Sequence, residues 1–154
     1  MGLFNSINIA GTGLTAQRLR MDVAADNIAN ASSTRKADGG LFQRGRVILK
    51  PRAEEPYWRS PFLPEGMSQG GQKGVRVAEI EKDTSPPRYV YDPTHPDALK
   101  TGKWEGYVEY ANVDIVTEMT DIIAVTRAYE ANAQVIEGSK SMFQRALEIG
   151  GAAR

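Results

Sequence analysis

The sequence contains no cysteine and only one histidine among its 154 residues. Without thiols the chain can form neither a disulfide framework nor a thiolate metal site. The histidine, His95, is followed by Pro96 and has no second candidate ligand at helical or hairpin spacing. We therefore expect His95 to pack in a rigid turn, and we expect the protein to bind no metal and to need no cofactor.

The chain also has no net charge, because 19 Lys and Arg residues balance 19 Asp and Glu residues. This balance argues against a nucleic-acid partner and against bulk attraction to an anionic membrane. No stretch approaches the roughly 20 apolar residues needed to cross a bilayer. The first residues lack the pattern of a cleaved signal peptide, so any export from the cytoplasm is expected to proceed without cleavage.

Motifs for catalysis are equally scarce. The segment 70–74 is rich in glycine, but it lacks the spacing and the following Ser or Thr of a phosphate-binding loop. No serine lies in a nucleophile-elbow motif. The acidic pairs Glu54/Glu55 and Glu118/Asp121 fit solvation or helix-dipole compensation better than a glycosidase site. We expect no enzymatic activity and no small-molecule substrate.

What the chain does have is an apolar residue at every seventh position near both ends. The N-terminal series consists of Ile7, Leu14, Met21 and Ile28. The C-terminal series consists of Ile115, Ile122, Tyr129, Ile136 and Phe143, reinforced four residues along by Met119, Ala133 and Leu147. Such a repeat forms a stripe on a helix that is stable only against another helix. The pattern predicts helices over about 4–30 and 114–149 that pair as a coiled coil.

The first predicted helix has two further features. Ile9, Ala16 and Val23 form a second stripe with the same spacing, so this helix has more than one apolar face. Gly11 and Gly13 each cost about 1 kcal/mol relative to alanine in a helix interior. We expect this helix to be weak by itself and to depend on packing against neighbours.

The middle of the chain contains all eight prolines and several short runs of β-forming residues. These runs predict strands over 46–50, 75–81, 88–91 and 107–110, in one sheet or in a pair of hairpins. Between the first two lies the Pro- and Gly-rich loop 51–74, whose aromatic residues we expect to dock on this domain or on a neighbour. The predicted fold class is α+β, with terminal helices over 1–31 and 112–154 and a β-rich module over 32–111.

Periodicity alone leaves two architectures open. In the first, the helices close on each other in a monomeric hairpin. In the second, one face of each helix contacts another copy and the chain is an assembly subunit. A soluble helical adaptor or chaperone and a peptidoglycan-active enzyme are the competing functional classes.

Three strings of residues resemble the bacterial flagellar axial proteins, the family of rod, hook and hook-filament subunits. The first string is 22–32 (DVAADNIANAS), which contains Asn27 and Asn30. The second is 92–98 (DPTHPDA), with His95 and Pro96, followed by Gly106–Tyr107 and by 112–114. The third covers 118–123 and 127–132. The resemblance covers most of the chain and is weakest over 51–74, and the length fits the shorter rod members.

The chain departs from the family pattern at two places. Ala111 stands where family members usually have a proline, and 99–105 resembles an insertion that includes Trp104. We interpret Asn27 and Asn30 as a helix exit, since asparagine tolerates a left-handed backbone. The alternative is that their amides bind a neighbouring subunit.

The resemblance implies a structural subunit of the flagellar basal body. It implies export through the flagellar type III apparatus without cleavage, followed by assembly in the periplasm with other rod proteins and with the basal-body junction. It further implies that paired terminal helices line a hollow tube that transmits torque, and that the middle module faces outward. These implications favour the assembly subunit over the closed hairpin.

Overall fold

A computed structural model describes residues 3–36, 39–52 and 74–151. The elements follow the order α1 (Leu3–Ala29), β1 (Gly45–Pro51), β2 (Val75–Lys82), β3 (Arg88–Tyr91), β4 (Tyr107–Tyr110) and α2 (Ile115–Gly151). Along the sequence, two long helices thus flank a small strand module, which confirms the predicted α+β class. No helix within these residues is both long and apolar enough to cross a membrane.

The ends of the helices differ from the predicted ones in detail. α1 ends at Ala29, and the backbone N–H of Asn30 still donates to the carbonyl of Asp26 at 3.0 Å. α1 thus ends immediately before Asn30, as a helix exit at this residue requires, but no described non-glycine residue has a positive φ, so the exit uses no left-handed asparagine. α2 continues through Gly150 to Gly151, two residues beyond the predicted end.

The strands form two separate two-stranded sheets, β1 with β2 and β3 with β4. β3 and β4 are antiparallel, and Arg88 pairs with Tyr110 while Tyr91 pairs with Tyr107. Both strands have the predicted limits, whereas β1 and β2 are slightly longer than predicted. The predicted docking of the aromatic residues of loop 51–74 lies outside the described residues.

The chain divides into two compact units, and both helices contribute to each unit. The first unit contains the described residues of 1–18, 49–78 and 126–154. In it, the Thr12 hydroxyl donates to the carbonyl of Ile9 at 2.7 Å and accepts the N–H of Val75 at 3.2 Å. The start of β2 is therefore held on α1 by a side chain within a helix turn.

The second unit contains the described residues of 19–48 and 79–125. Its core is a cluster of Ala31, Phe42, Ala111 and Val113, and Val108 of β4 is fully buried. Ala111, one of the two departures from the resemblance noted above, is completely buried. The small alanine side chains in this core are consistent with the low aromatic content of the chain.

Candidate functional site: helix contacts and exposed apolar surface

In the first unit, α1 and α2 contact each other in antiparallel orientation. The rings of Phe4 and Phe143 meet edge to face with centroids 5.8 Å apart. Further along α1, the amide of Asn132 lies on Gly13, where an added Cβ would come within 2.8 Å of Nδ2. From the first contact to the second, the residue number increases along α1, from 4 to 13, and decreases along α2, from 143 to 132. The two helices therefore run in opposite directions. We call this line of contact the helix seam.

In the second unit, Asn27 joins three elements through one side chain. Its amide oxygen accepts the N–H of Gly45 at 2.8 Å, and its amide nitrogen donates to the carbonyl of Gly45 at 2.9 Å. The same nitrogen lies 3.1 Å from Oε2 of Glu118 on α2. Asn27 is only 2% exposed. It therefore connects α1, the start of β1 and the start of α2.

Glu118 is a buried carboxylate with its charge compensated. It is 2% exposed, and the Nε atom of Arg44 donates to its Oε1 atom. Arg44 also reaches Asp121 at 3.8 Å, a longer contact with a more exposed partner. Taking a carboxylate out of water is costly unless a charge and hydrogen bonds compensate it. Arg44 and Asn27 supply both, and we call these three side chains the Asn27–Arg44–Glu118 network.

Asp114 caps the start of α2. Its Oδ2 atom accepts the hydroxyl of Thr117 at 2.7 Å, and its Oδ1 atom accepts the N–H of Val116 at 3.1 Å. These two hydrogen bonds hold the pKa of Asp114 below its usual value, and the bond from the Thr117 hydroxyl has the larger effect. The cap satisfies a backbone N–H that the helix itself leaves without a partner.

His95 lies in a turn that follows β3. Its Nδ1 atom accepts the N–H of Asp97 at 3.1 Å, and the carboxylate of Asp97 accepts the hydroxyl of Thr34 at 2.8 Å. At the start of the same turn, the Thr94 hydroxyl donates to Asp92 and holds the pKa of that carboxyl below its usual value. His95 thus takes part in a hydrogen-bonded turn, and Pro96 beside it is exposed.

Gly106 and Tyr107 enter β4 beside an aromatic cluster. Gly106 has φ +81°, and a Cβ there would lie 3.0 Å from the ring of Tyr91. The ring of Tyr107 contacts Tyr91 and Trp104, and Trp104 stacks on Tyr89 with centroids 4.6 Å apart. A hydrogen bond to Glu109 raises the pKa of Tyr89. Trp104, in the segment that resembles an insertion, is therefore part of the hairpin surface, and Trp58 lies outside the described residues.

The predicted packing residues divide into two groups. Those that are half-buried are Ile7, Leu14, Met21, Ile28, Ile122, Ala133 and Ile136. Those that are exposed are Ile115, Met119, Tyr129, Phe143 and Leu147. The predicted α2 stripe is therefore only partly covered within the chain.

The most buried row of α2 is a different set of residues, also seven apart. Glu118, Val125 and Ser139 are buried, and Asn132 is half-buried. Sequence reasoning missed this row because three of its four members are polar and an apolar series leaves them out. The seven-residue spacing of these four residues was the feature of the sequence that could have identified the row.

No group of three or more His, Asp or Glu side chains that could hold a metal ion occurs within 3–36, 39–52 and 74–151. The prominent features of this part of the chain are helix contacts, a compensated buried charge and exposed apolar side chains. Such an arrangement can hold helices together and present a surface, and it defines a structural protein built on paired helices.

Comparison with known proteins identifies the family. Residues 7–35 match the family model described as flagella basal body rod protein, and residues 105–149 match the one for the C-terminal part of flagellar basal body rod FlgEFG proteins. The chain is 57% identical over 149 residues to the flagellar basal-body rod protein FlgC of Borreliella burgdorferi, covering 97% of this chain and 98% of that protein. It is 41% identical over 156 residues to FlgC of Bacillus subtilis and 35% identical over 150 residues to FlgC of Salmonella typhimurium, each covering 97% of this chain and 99% of the relative.

The chain therefore belongs to the FlgC family of flagellar basal-body rod proteins. This family consists of structural rod proteins and not of enzymes, which confirms both the resemblance and the expectation that the chain is not an enzyme.

Proposed function

We propose that the chain polymerises through its terminal helices into the proximal part of the flagellar rod, a hollow shaft that transmits torque and forms part of the export channel wall. The observation that carries the proposal is the apolar surface that α2 leaves uncovered. A contiguous patch of large apolar side chains on the surface of a protein commonly marks an interaction site.

That surface is most continuous near the end of α2. Every described residue from 140 onward is exposed. Met142, Phe143, Leu147 and Ile149 lie in this segment, and Leu147 is 59% exposed while Ile149 is 75% exposed. Burying such side chains is worth about 1.5–3 kcal/mol each when they are fully covered. A neighbouring subunit that covers this segment would gain this free energy.

The first helix supports a coupling of folding to assembly. Its predicted stripe residues are half-buried, and Phe4 at its start is 72% exposed. Ordering each residue costs about 1–2 kcal/mol of backbone entropy, and two glycines weaken the helix further. We infer that α1 becomes fully ordered when neighbouring subunits cover its second face.

The proposed partners are further copies of this chain, the other proximal and distal rod proteins, and the junction between the basal-body rings and the export apparatus. The proposed route is export through the flagellar type III apparatus without cleavage of a signal peptide, with assembly across the periplasm. Membership of a rod-protein family supports these partners and this location.

We further propose that residues 1–31 and 112–154 form the axial core of the assembled rod and that 32–111 faces outward. Within this scheme the twelve apolar positions of the two series act in helix packing. The exposed members would contact other subunits, Phe143 in addition to its contact with Phe4 of the same chain. The half-buried members would contact the partner helix of the same chain.

The test is a charge placed on the exposed segment of α2. Leu147→Asp should prevent rod assembly and abolish motility, because an aspartate would be buried between subunits without a partner. Ser141→Asp is the matched control, since Ser141 is also exposed on α2 but lies on a different side of the helix from Leu147, and it should leave motility intact. Both variants should be exported in normal amounts. Full motility of cells carrying Leu147→Asp would overturn the proposal.

A further inference from the structure

We propose that, within the first unit, Gly13 and Asn132 set the register in which α1 pairs with α2. The amide of Asn132 lies against the backbone of Gly13, and an added Cβ would lie 2.8 Å from Nδ2 and 3.1 Å from Cγ. Packed side chains do not approach that closely. Glycine is among the least favourable residues inside a helix, so its place within α1 is explained by the space that Asn132 occupies.

The apolar residues alone do not define the register. The series beginning at Ile7 and the series beginning at Ile115 both repeat every seven residues. If α1 moved along α2 by seven residues, about 10.5 Å of helix, apolar side chains would again face apolar side chains. A polar residue in a helix seam is a device that selects one register from such equivalent alternatives.

Only the observed register gives Asn132 a partner without a side chain. A shift of seven residues in either direction would place Asn132 opposite Ser6 or Arg20. Both residues carry a Cβ atom where the amide now lies. The same shift would place Gly13 opposite Val125 or Ser139, and the space above it would not be filled by an amide.

Gly11 shows that the effect belongs to one glycine and not to glycine in α1 generally. A Cβ added at Gly11 would meet nothing within 4 Å. The two residues lie in the same helix, two positions apart, and a change to alanine removes the same backbone freedom from each. Gly11→Ala is therefore a matched control for Gly13→Ala.

The absence of cysteine from the chain allows the register to be read directly by introduced cysteines. The pair Phe4→Cys/Phe143→Cys reports the observed register, since these two rings are in contact. The pairs Phe4→Cys/Ile136→Cys and Phe4→Cys/Gly150→Cys report a shift of seven residues in each direction. A short bismaleimide is added to cells that express the full chain, and intrachain cross-linking is measured as the ratio of the observed-register product to the shifted products.

We expect Gly13→Ala to lower this ratio by about fivefold or more, the change that about 1 kcal/mol produces in a two-state ratio. Gly11→Ala should leave the ratio unchanged. Asn132→Ala removes the amide and should lower the ratio as Gly13→Ala does, and the double variant Gly13→Ala/Asn132→Ala should show no further loss. A loss of helix stability alone would lower all three products together and leave their ratio unchanged. The inference is overturned if either Gly13→Ala or Asn132→Ala keeps the ratio of the unsubstituted chain.

This inference concerns contacts within one chain and is independent of how subunits contact one another. A chain that fails to polymerise could still give the observed-register product. Failure of the register test and failure of the Leu147→Asp test are therefore distinguishable.

Discussion

The side chain of Asn27 pairs with the backbone of Gly45 as one peptide group pairs with another in a sheet. Its amide accepts the N–H of Gly45 at 2.8 Å and donates to the carbonyl of Gly45 at 2.9 Å. A Cβ on Gly45 would lie 3.2 Å from a methyl group of Val23 and 3.4 Å from one of Ile80, so little space is left at this position. The exit from α1 and the start of β1 are thereby held together by a side chain.

Removal of this amide should be costly. Asn27→Ala leaves the backbone groups of Gly45 and one oxygen of Glu118 without their partner, and each unsatisfied buried group costs about 1–3 kcal/mol. We expect the free energy of unfolding in urea to fall by about 2–4 kcal/mol. Asn30→Ala is the control, because the hydrogen bonds of the Asn30 amide are local: it donates to the carbonyl and the carboxylate of Asp26 and accepts the hydroxyl of Ser33. A loss for Asn27→Ala no larger than that for Asn30→Ala would contradict the role assigned to Asn27.

The charge of Arg44 should matter far more than that of Arg46. Arg44→Met leaves the buried carboxylate of Glu118 without its cation, and breaking a buried pair typically costs about 3–5 kcal/mol. Arg46→Met breaks an ion pair with Glu81 in which both side chains are exposed, and such pairs contribute about 0–1 kcal/mol. Urea unfolding of the two variants measures the difference. The double variant Arg44→Met/Glu118→Leu should regain most of the loss, and equal effects of Arg44→Met and Arg46→Met would contradict this account.

The start of α2 should lose stability at acidic pH. The pKa of Asp114 is held below its usual value of 3.8 by the Thr117 hydroxyl and the N–H of Val116. A carboxyl whose folded pKa is depressed contributes stability that is present above the unfolded pKa and is lost as the pH falls through the folded pKa. We expect this contribution to be complete above pH 3.8 and to disappear below it. NMR titration of Asp114 should show its pKa rising in Thr117→Val, and an unchanged pKa would argue against the cap.

The sequence predicted those parts of the fold that depend on local patterns. Strands 88–91 and 107–110 were predicted at their observed limits, because alternation and flanking turn residues specify them locally. The end of α2 was predicted too early, since the structure continues the helix through both glycines. The prediction of a left-handed asparagine at the end of α1 was wrong, since no described asparagine has a positive φ. Asn27 lies inside α1 and uses its side chain in a tertiary contact with Gly45.

The contacts at the candidate site were less predictable. The apolar series located the two helices, but the buried row of α2 runs through Glu118 and Asn132. Burial of Glu118 depends on Arg44, which lies 74 positions away in the chain, and no local pattern pairs them. The fit of Asn132 on Gly13 likewise depends on the pairing of two distant helices. Such polar contacts are apparent only when the helices are placed against each other.

The most direct test of polymerisation through the terminal helices is hydrogen exchange on the free and the assembled chain. Residues 3–18 and 140–151, which lie outside the Asn27–Arg44–Glu118 network, should exchange rapidly in a dilute, monodisperse sample of the purified full chain. The same residues should be strongly protected in isolated basal bodies, because neighbouring subunits then cover them. Strong protection of residues 3–18 in the dilute chain, or no gain of protection on assembly, would contradict the account.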